Sequence, residues 1–272
     1  MKHLKWLNEN CSSLKGKTVA LTGSTGGIGV HLVKYLSFLG ARLILIDRNY
    51  EKASALRNKF PETDITLITA DMSDFSSVIS AAEKLKELTP DYLIINAGAY
   101  SIPRKICDTG FDNVFQINFV SQYYLAMELL PEISKLGGGI VAVGSIAHGY
   151  SKIDKSNLDF HNIKAASKAY GNAKRWLQLC LYSLFEDEKS ARLAVTHPGI
   201  TFTGITNHYP KLIFALIKHP MKVIFMKPEK AALCVLKGLF CECKTGEWIG
   251  PRFFGIWGKP KKSRLASFDI DE

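Results

Sequence analysis

Along the chain, short runs of apolar and β-branched residues recur at Thr18–Thr22, Leu43–Asp47, Ile65–Thr69, Tyr92–Asn96, Ile140–Ser145 and Leu193–His197. Between them lie longer stretches with helical spacing of apolar positions, at Ile28–Leu39, Tyr50–Asn58, Phe75–Leu88, Phe111–Leu136 and Asn162–Phe185. The first set reads as strands and the second as helices. The strands are apolar throughout instead of alternating, as in a parallel sheet covered on both faces. Strand–helix units in series, joined by right-handed crossovers, give a doubly wound α/β layer structure with helices on both faces. No repeat, low-complexity tract or linker divides the 272 residues, so a single domain is expected.

Composition sharpens that picture. Hydrophobic residues make up 47% and charged residues 22%, which argues against disorder. No uninterrupted apolar run exceeds six residues (Leu212–Ile217, Ala231–Leu236), against about twenty for a spanning helix. Met1–Lys17 has no apolar stretch of signal-peptide length, and six cysteines form neither a disulfide framework nor a zinc pattern. The expectation is a cytoplasmic protein with reduced thiols and no metal. The net charge of +10 is concentrated: twelve Lys/Arg face three Glu between Ile205 and Arg264. No nucleic-acid motif accompanies that excess, so nucleic acid is not expected as a partner.

The first candidate chemistry sits at the first strand–helix junction, Thr22-Gly23-Ser24-Thr25-Gly26-Gly27-Ile28-Gly29. A strand, a glycine turn and a helix N-terminus make an anion site from unpaired N–H groups and the positive dipole end. The run satisfies both GxxxGxG and GxxGxxG spacing. Beyond the second strand stands Asp47, 24 residues after Gly23, where a carboxylate can hold an adenosine ribose 2′-hydroxyl. It would repel a 2′-phosphate, which favours NAD; the neighbouring Arg48 can pair with that phosphate and keeps NADP open.

The second candidate is Tyr170-Gly171-Asn172-Ala173-Lys174, with Tyr170 and Lys174 at i and i+4 on one helix face. A phenol ionises near 10, and bringing it to neutrality takes about 4 kcal/mol of preference for the phenolate. An ammonium in a partly dehydrated cleft can supply energy of that order.

With TGxxxGIG, Asp71 after the third strand, Asn96-Ala97-Gly98 after the fourth, Asn118, Ser145, YxxxK and Pro198-Gly199 in this order, the chain resembles a short-chain dehydrogenase/reductase. The resemblance covers Lys15 to Phe240 and implies a single-domain Rossmann-type sheet of about seven strands. It also selects the GxxxGxG reading of the glycine turn. Ser145 and Tyr170 are 25 residues apart, longer than the family's usual spacing, and with Ser-Ile-Ala-His at 145–148 this is similar to the retinol-dehydrogenase-like subgroup. The resemblance implies Tyr170 as general acid/base, Ser145 as hydrogen-bond donor to the reacting oxygen, Lys174 as the residue lowering the phenol pKa and binding the nicotinamide ribose, and Asn118 as holder of a relay water. It implies Gly23, Ser24, Gly27, Ile28 and Gly29 around the pyrophosphate, and Asp71 and Met72 beside adenine. Asn96, Ala97, Gly98, Pro198, Gly199 and Thr203 would line the nicotinamide side.

Around this core the chain is expected to carry an N-terminal extension at 1–14, the NAD(P)-binding domain at 15–250 with a substrate lid at 200–226, and a basic tail at 251–272. The lid, with Phe202, Tyr209, Leu212, Ile213, Phe214, Ile217, Ile224 and Phe225, suits a lipophilic alcohol or carbonyl, and helix packing explains the same residues. Its interleaved lysines leave contact with an anionic bilayer surface open. A homodimer or homotetramer through the two long helices is a family expectation. A dinucleotide-binding scaffold with little turnover is the rival to the enzyme. His148 and His197 read as structural or loop histidines, Cys180 as a small core residue, and Glu186-Asp187-Glu188 as a solvated helix end.

Overall fold

The computed structural model describes residues 3–150, 153, 165–201 and 225–265. Eight strands form one sheet: β1 (Thr18–Thr22), β2 (Arg42–Asp47), β3 (Ile65–Thr69), β4 (Tyr92–Ile95), β5 (Gly139–Val143), β6 (Arg192–Thr196), β7 (Glu247–Phe253) and β8 (Trp257–Arg264). Their order is β3-β2-β1-β4-β5-β6-β7-β8. The first seven are parallel and β8 returns antiparallel at the edge. The strand order reverses between β1 and β4, and a crevice at the carboxyl ends of such strands is where doubly wound sheets bind ligands.

Both-face burial explains the continuous apolar strands. On β1, Val19 and Leu21 join one apolar layer while Ala20 joins the other; on β2, Leu43 and Leu45 oppose Ile44 and Ile46 in the same way. The first layer is closed by α1 (Leu4–Asn10), α2 (Gly29–Phe38), α3 (Tyr50–Arg57) and a C-terminal helix. The second is closed by α4 (Phe75–Leu88), α6 (Ser121–Lys135) and α7 (Ala166–Leu184). The C-terminal helix, α8 (Pro228–Gly238), starts at a proline, whose missing N–H is harmless there. Asn49 and Asp74 cap α3 and α4 by accepting backbone N–H bonds, from Lys52 and from Ser76 and Ser77.

Three features depart from the helices and strands expected. The stretch expected as one helix over Phe111–Leu136 is a short α5 (Asn113–Phe115), a π-helical turn (Gln116–Val120) and then α6. In the N-terminal segment, expected as an extension at 1–14, Trp6, Leu7 and Leu14 are buried in the first layer. Residues 251–264, in the stretch expected as a basic tail, complete β7 and form β8. Their pattern was hidden because β8 is an exposed edge strand of lysines, glycine and proline, with no apolar face to betray it.

Candidate active site

The glycine turn is built by close approach. Gly23 has φ of 69°, in the left-handed region, and a Cβ there would lie 2.9 Å from the Ala97 Cα. A Cβ at Gly29 would lie 2.2 Å from the Gly23 carbonyl oxygen. These two positions have no room for a side chain, so they fix the turn against β4 and the start of α2. Gly26 and Gly27, by contrast, are exposed, and theirs is the backbone that is open to a ligand.

Behind the turn, polar groups are paired internally. The Thr22 hydroxyl accepts the backbone N–H groups of Asn96 and Ala97, each at 3.0 Å. The Asn96 amide donates to the carbonyls of Thr22 and Gly23 at 3.1 and 2.9 Å. Asn96 and Ala97 therefore lock the glycine turn to β4, where the resemblance had placed them beside nicotinamide. Thr22 was not singled out in the sequence, although a polar residue closing an apolar strand was a signal. Asp47 is 6% exposed. It accepts the backbone N–H and hydroxyl of Ser24 and of Thr25, the two N–H bonds at 3.2 and 3.0 Å. The neighbouring Arg48 is exposed.

The π-helical turn carries Asn118, which is fully buried. Its amide nitrogen donates to the carbonyls of Ala99 and Val114, both at 2.8 Å, and its Oδ1 accepts the Ala99 N–H at 3.2 Å. Single π-turns inside helices recur at functional sites. A Cβ on Gly98 would fall 2.8 Å from Asn118 Oδ1 and 3.6 Å from Lys174 Nζ, so the bare Gly98 backbone is what lets these two side chains approach.

The reacting groups come from two elements. Ser145 follows β5 and Tyr170 projects from α7, and the Ser145 side chain hydrogen-bonds the phenol. Tyr100 meets the Tyr170 ring edge-on at 5.3 Å between centroids. Lys174, 2% exposed, donates from Nζ to the Val143 carbonyl at 2.9 Å and lies 5.8 Å from the Tyr170 ring centroid. The expected depression of the phenol by this ammonium is not what the geometry produces. Burial holds the Tyr170 pKa up at about 12, with the Ser145 hydrogen bond working against it, while burial pulls Lys174 down to about 8. Sequence spacing located the ammonium correctly but could not show that packing would desolvate both groups.

The other positions divide. Asp71 is half-buried and accepts the Ser73 N–H at 2.8 Å, as a turn residue does. Met72 is buried in the second apolar layer, and its carbonyl accepts the Ser121 hydroxyl at 2.7 Å. Ile28 is half-buried and packs on both Met226 and the first layer. Pro198 and Gly199 follow β6; Gly199 has φ of 81°, and a Cβ there would be 2.9 Å from the Ile256 carbonyl oxygen. Thr203 and the lid from 202 to 224 lie outside the described residues. His197 and His148 pack against Trp248, stacked at 5.1 Å and edge-on at 5.5 Å, and burial pushes His197 down to about 3. Cys180 is half-buried, its thiol pushed up to about 11 by burial. Glu188 is not merely solvated: it accepts the Ser134 hydroxyl and the Ala191 N–H, at 2.9 and 3.1 Å.

Residues 17–209 match the family model described as short chain dehydrogenase. The chain belongs to that family. It is an oxidoreductase using NAD or NADP. Among curated relatives, an uncharacterized oxidoreductase of Schizosaccharomyces pombe is 28% identical over 253 residues, covering 85% of this chain and 74% of the relative. The short chain dehydrogenase yanD of Aspergillus niger is 30% identical over 240 residues, 75% of this chain and 73% of that one. Among solved structures, an uncharacterized protein of Mycobacterium paratuberculosis superposes with a TM-score of 0.72 at 22% identity, over 94% of this chain and 88% of that one. The Pseudomonas aeruginosa RhlG/NADP active-site complex gives a TM-score of 0.63 at 23% identity, over 85% and 93% of the two chains. At these identities the structures establish the shared fold.

A nicotinamide dinucleotide fits this residue set in two places. The exposed Gly26–Gly27 backbone at the turn into α2 suits a pyrophosphate. Lys174 has one acceptor among the described residues, the Val143 carbonyl, which leaves two ammonium donors for ribose hydroxyls. Asp47 fits less simply. Its oxygens already accept four hydrogen bonds, so the Ser24 and Thr25 hydroxyls must turn away before a ribose hydroxyl can take their place.

Proposed function

We propose that the chain interconverts a lipophilic alcohol and its carbonyl by hydride transfer, with Tyr170 as the general acid/base. The observation that carries this reading is the Ser145–Tyr170 hydrogen bond with Lys174 and Asn118 grouped behind it across Gly98. The cofactor supplies the hydride chemistry. Ser145 donates to the reacting oxygen, and Tyr170 exchanges the proton with it. Lys174 orients ribose with its two remaining donors, and Asn118 holds the Ala99 backbone in place beside them. Asp47 selects NAD by repelling a 2′-phosphate. The Ser145–Tyr170 spacing and the Ser-Ile-Ala-His segment support a place in the retinol-dehydrogenase-like subgroup. The Tyr100 ring beside the phenol and the apolar Ile146 next to Ser145 favour a lipophilic substrate over a sugar. A steroid, retinoid and aliphatic alcohol panel, followed by reduced-nicotinamide absorbance, tests it: turnover on apolar members supports the reading, and turnover confined to sugars or charged acids overturns it.

A second reading is a dinucleotide-binding scaffold. Its support is the Tyr170 pKa near 12, which keeps the phenol protonated at neutral pH. Tight dinucleotide binding without turnover on any panel member favours it. For assembly, we infer a homodimer or homotetramer through α6 and α7. Between them and α4 lies an apolar groove of about 280 Å³, lined by Phe75, Phe119, Tyr123, Tyr124, Met127 and Trp176. An exposed aromatic groove of this kind is costly in water and suited to a second copy. A monomeric mass in light scattering overturns this.

A further inference from the structure

Of the large apolar side chains exposed among the described residues, three fall within five consecutive positions at the turn between β7 and β8. Phe253 is 55% exposed, Phe254 88% and Trp257 39%. Phe254 has φ of 52°, a left-handed conformation that glycine and asparagine take readily and a bulky aromatic does not. The chain keeps a large apolar group there against local backbone preference. Behind the tip, Arg252, Lys259, Lys261, Lys262 and Arg264 are all exposed. The sole acid of the two strands is Glu247, which Lys262 engages at 3.0 Å. The Arg252 guanidinium sits 5.7 Å from the Phe253 ring centroid. The hairpin thus has an aromatic end and cationic flanks.

We propose that this hairpin docks the protein on an anionic lipid surface, the aromatic tip entering the headgroup boundary and the lysines facing lipid phosphates and carboxylates. Aromatic rings with a basic flank are what such a boundary holds. The contact proposed is peripheral; no helix among the described residues is long and apolar enough to cross a membrane. A second copy fits the edge poorly, because pairing two β8 strands would set lysine against lysine. Single-stranded nucleic acid is held in a basic groove with aromatics along it, whereas here the rings cluster at a projecting end.

The tip also adjoins the reacting side. A Cβ at Gly255 would lie 3.5 Å from Ile146, the neighbour of Ser145, and the Ile256 carbonyl abuts Gly199. Docking there brings the site entrance to the lipid boundary, a consequence that rests on the lipophilic-substrate reading; the docking itself does not.

The test is flotation of the full chain with phosphatidylcholine vesicles, with and without phosphatidylserine. Wild type is expected to float with the anionic vesicles. Phe254→Asn, which suits the left-handed backbone and so leaves the melting temperature equal or higher, should weaken binding about ten-fold or more, by the loss of one buried ring. Lys259→Gln with Lys261→Gln should weaken it about thirty-fold on anionic vesicles only. Absence of wild-type flotation overturns the proposal. So does flotation unchanged in both variants, or binding to single-stranded DNA in place of vesicles. Vesicle binding with no turnover of any apolar alcohol would sink the substrate reading and leave docking intact. Turnover of a water-soluble alcohol without vesicles should be equal in wild type and Phe254→Asn.

Discussion

The nucleotide side and the reacting side of the cleft are made in opposite ways. At the glycine turn every buried polar group has found a protein partner: Thr22 with Asn96 and Ala97, Asp47 with Ser24 and Thr25. What remains open is bare backbone. At the reacting side, two ionisable groups are buried with few partners, and burial displaces both pKa values in the direction that disfavours charge. The first region is rigid by satisfaction. The second holds electrostatic free energy that a ligand can release. Substitutions on the two sides should therefore fail differently, one through stability and affinity, the other through rate and pH.

The largest expected effect lies on the reacting side. Tyr170→Phe keeps the ring that meets Tyr100 and removes the proton donor, so turnover should fall by about two to four orders of magnitude. Dinucleotide affinity, measured by fluorescence titration, should stay within about two-fold, because the proposed ribose contacts come from Lys174. Retained turnover would remove Tyr170 from the chemistry and with it the contrast between the sides.

The Lys174 ammonium makes the contrast visible in pH. Its folded pKa, about 8, lies below the ordinary 10.5, so between those values the unfolded chain binds more protons and stability rises with pH. The cost of the desolvated ammonium is fully present below about pH 8 and is relieved up to about 10.5, by about 3 kcal/mol at most. Tyr170 works the other way only above pH 10, where the unfolded chain loses its phenolic proton first. Thermal unfolding from pH 7.5 to 10 should show wild type gaining on Lys174→Met. Parallel curves would mean that the ammonium is solvated, and the reacting side would then resemble the nucleotide side.

Which parts of this were legible in sequence follows the same division. Strands β1, β2, β4, β5 and β6 announced themselves because their central positions are apolar and buried on both faces, and the edge strand β3 because Ile65, Leu67 and Ile68 form a short apolar, β-branched run. Asn118, Ser145, Tyr170 and Lys174 were legible as an ordered set, and the structure brings them together. The π-turn at Gln116–Val120 was not, since its spacing differs from an α-helix by one residue within a longer apolar pattern. Nor was β8, whose residues face water. The direction for the phenol was not legible, because i,i+4 spacing reports proximity, while burial depends on segments distant in sequence. Asp47 was legible as a buried carboxylate beyond the second strand, but its bonds from Ser24 and Thr25 were not, because they depend on how the turn folds back.

On the nucleotide side, Gly29→Ala is expected to cost about 1–3 kcal/mol, since its methyl meets the Gly23 carbonyl and the backbone must shift. Gly27→Ala, at an exposed position, should leave the melting temperature nearly unchanged and weaken dinucleotide binding instead. If both glycines lowered stability equally, the division between packing glycines and ligand-facing glycines would be lost.

The smallest effect concerns which dinucleotide the turn accepts. Asp47 is tied to the loop, and Arg48 is exposed beside it. An exposed guanidinium–phosphate contact is worth about 1 kcal/mol or less, so Arg48→Ala should raise the KM for NADP up to about five-fold and leave that for NAD unchanged. Ser24→Ala with Thr25→Val frees the Asp47 oxygens from two hydroxyls while keeping both backbone donors, and should tighten NAD relative to NADP. The two variants act on the same ratio from opposite charges. If Arg48→Ala leaves the ratio alone while the double variant moves it, selection lies with the carboxylate; if only Arg48→Ala moves it, Asp47 serves the turn alone and the preference belongs to the arginine.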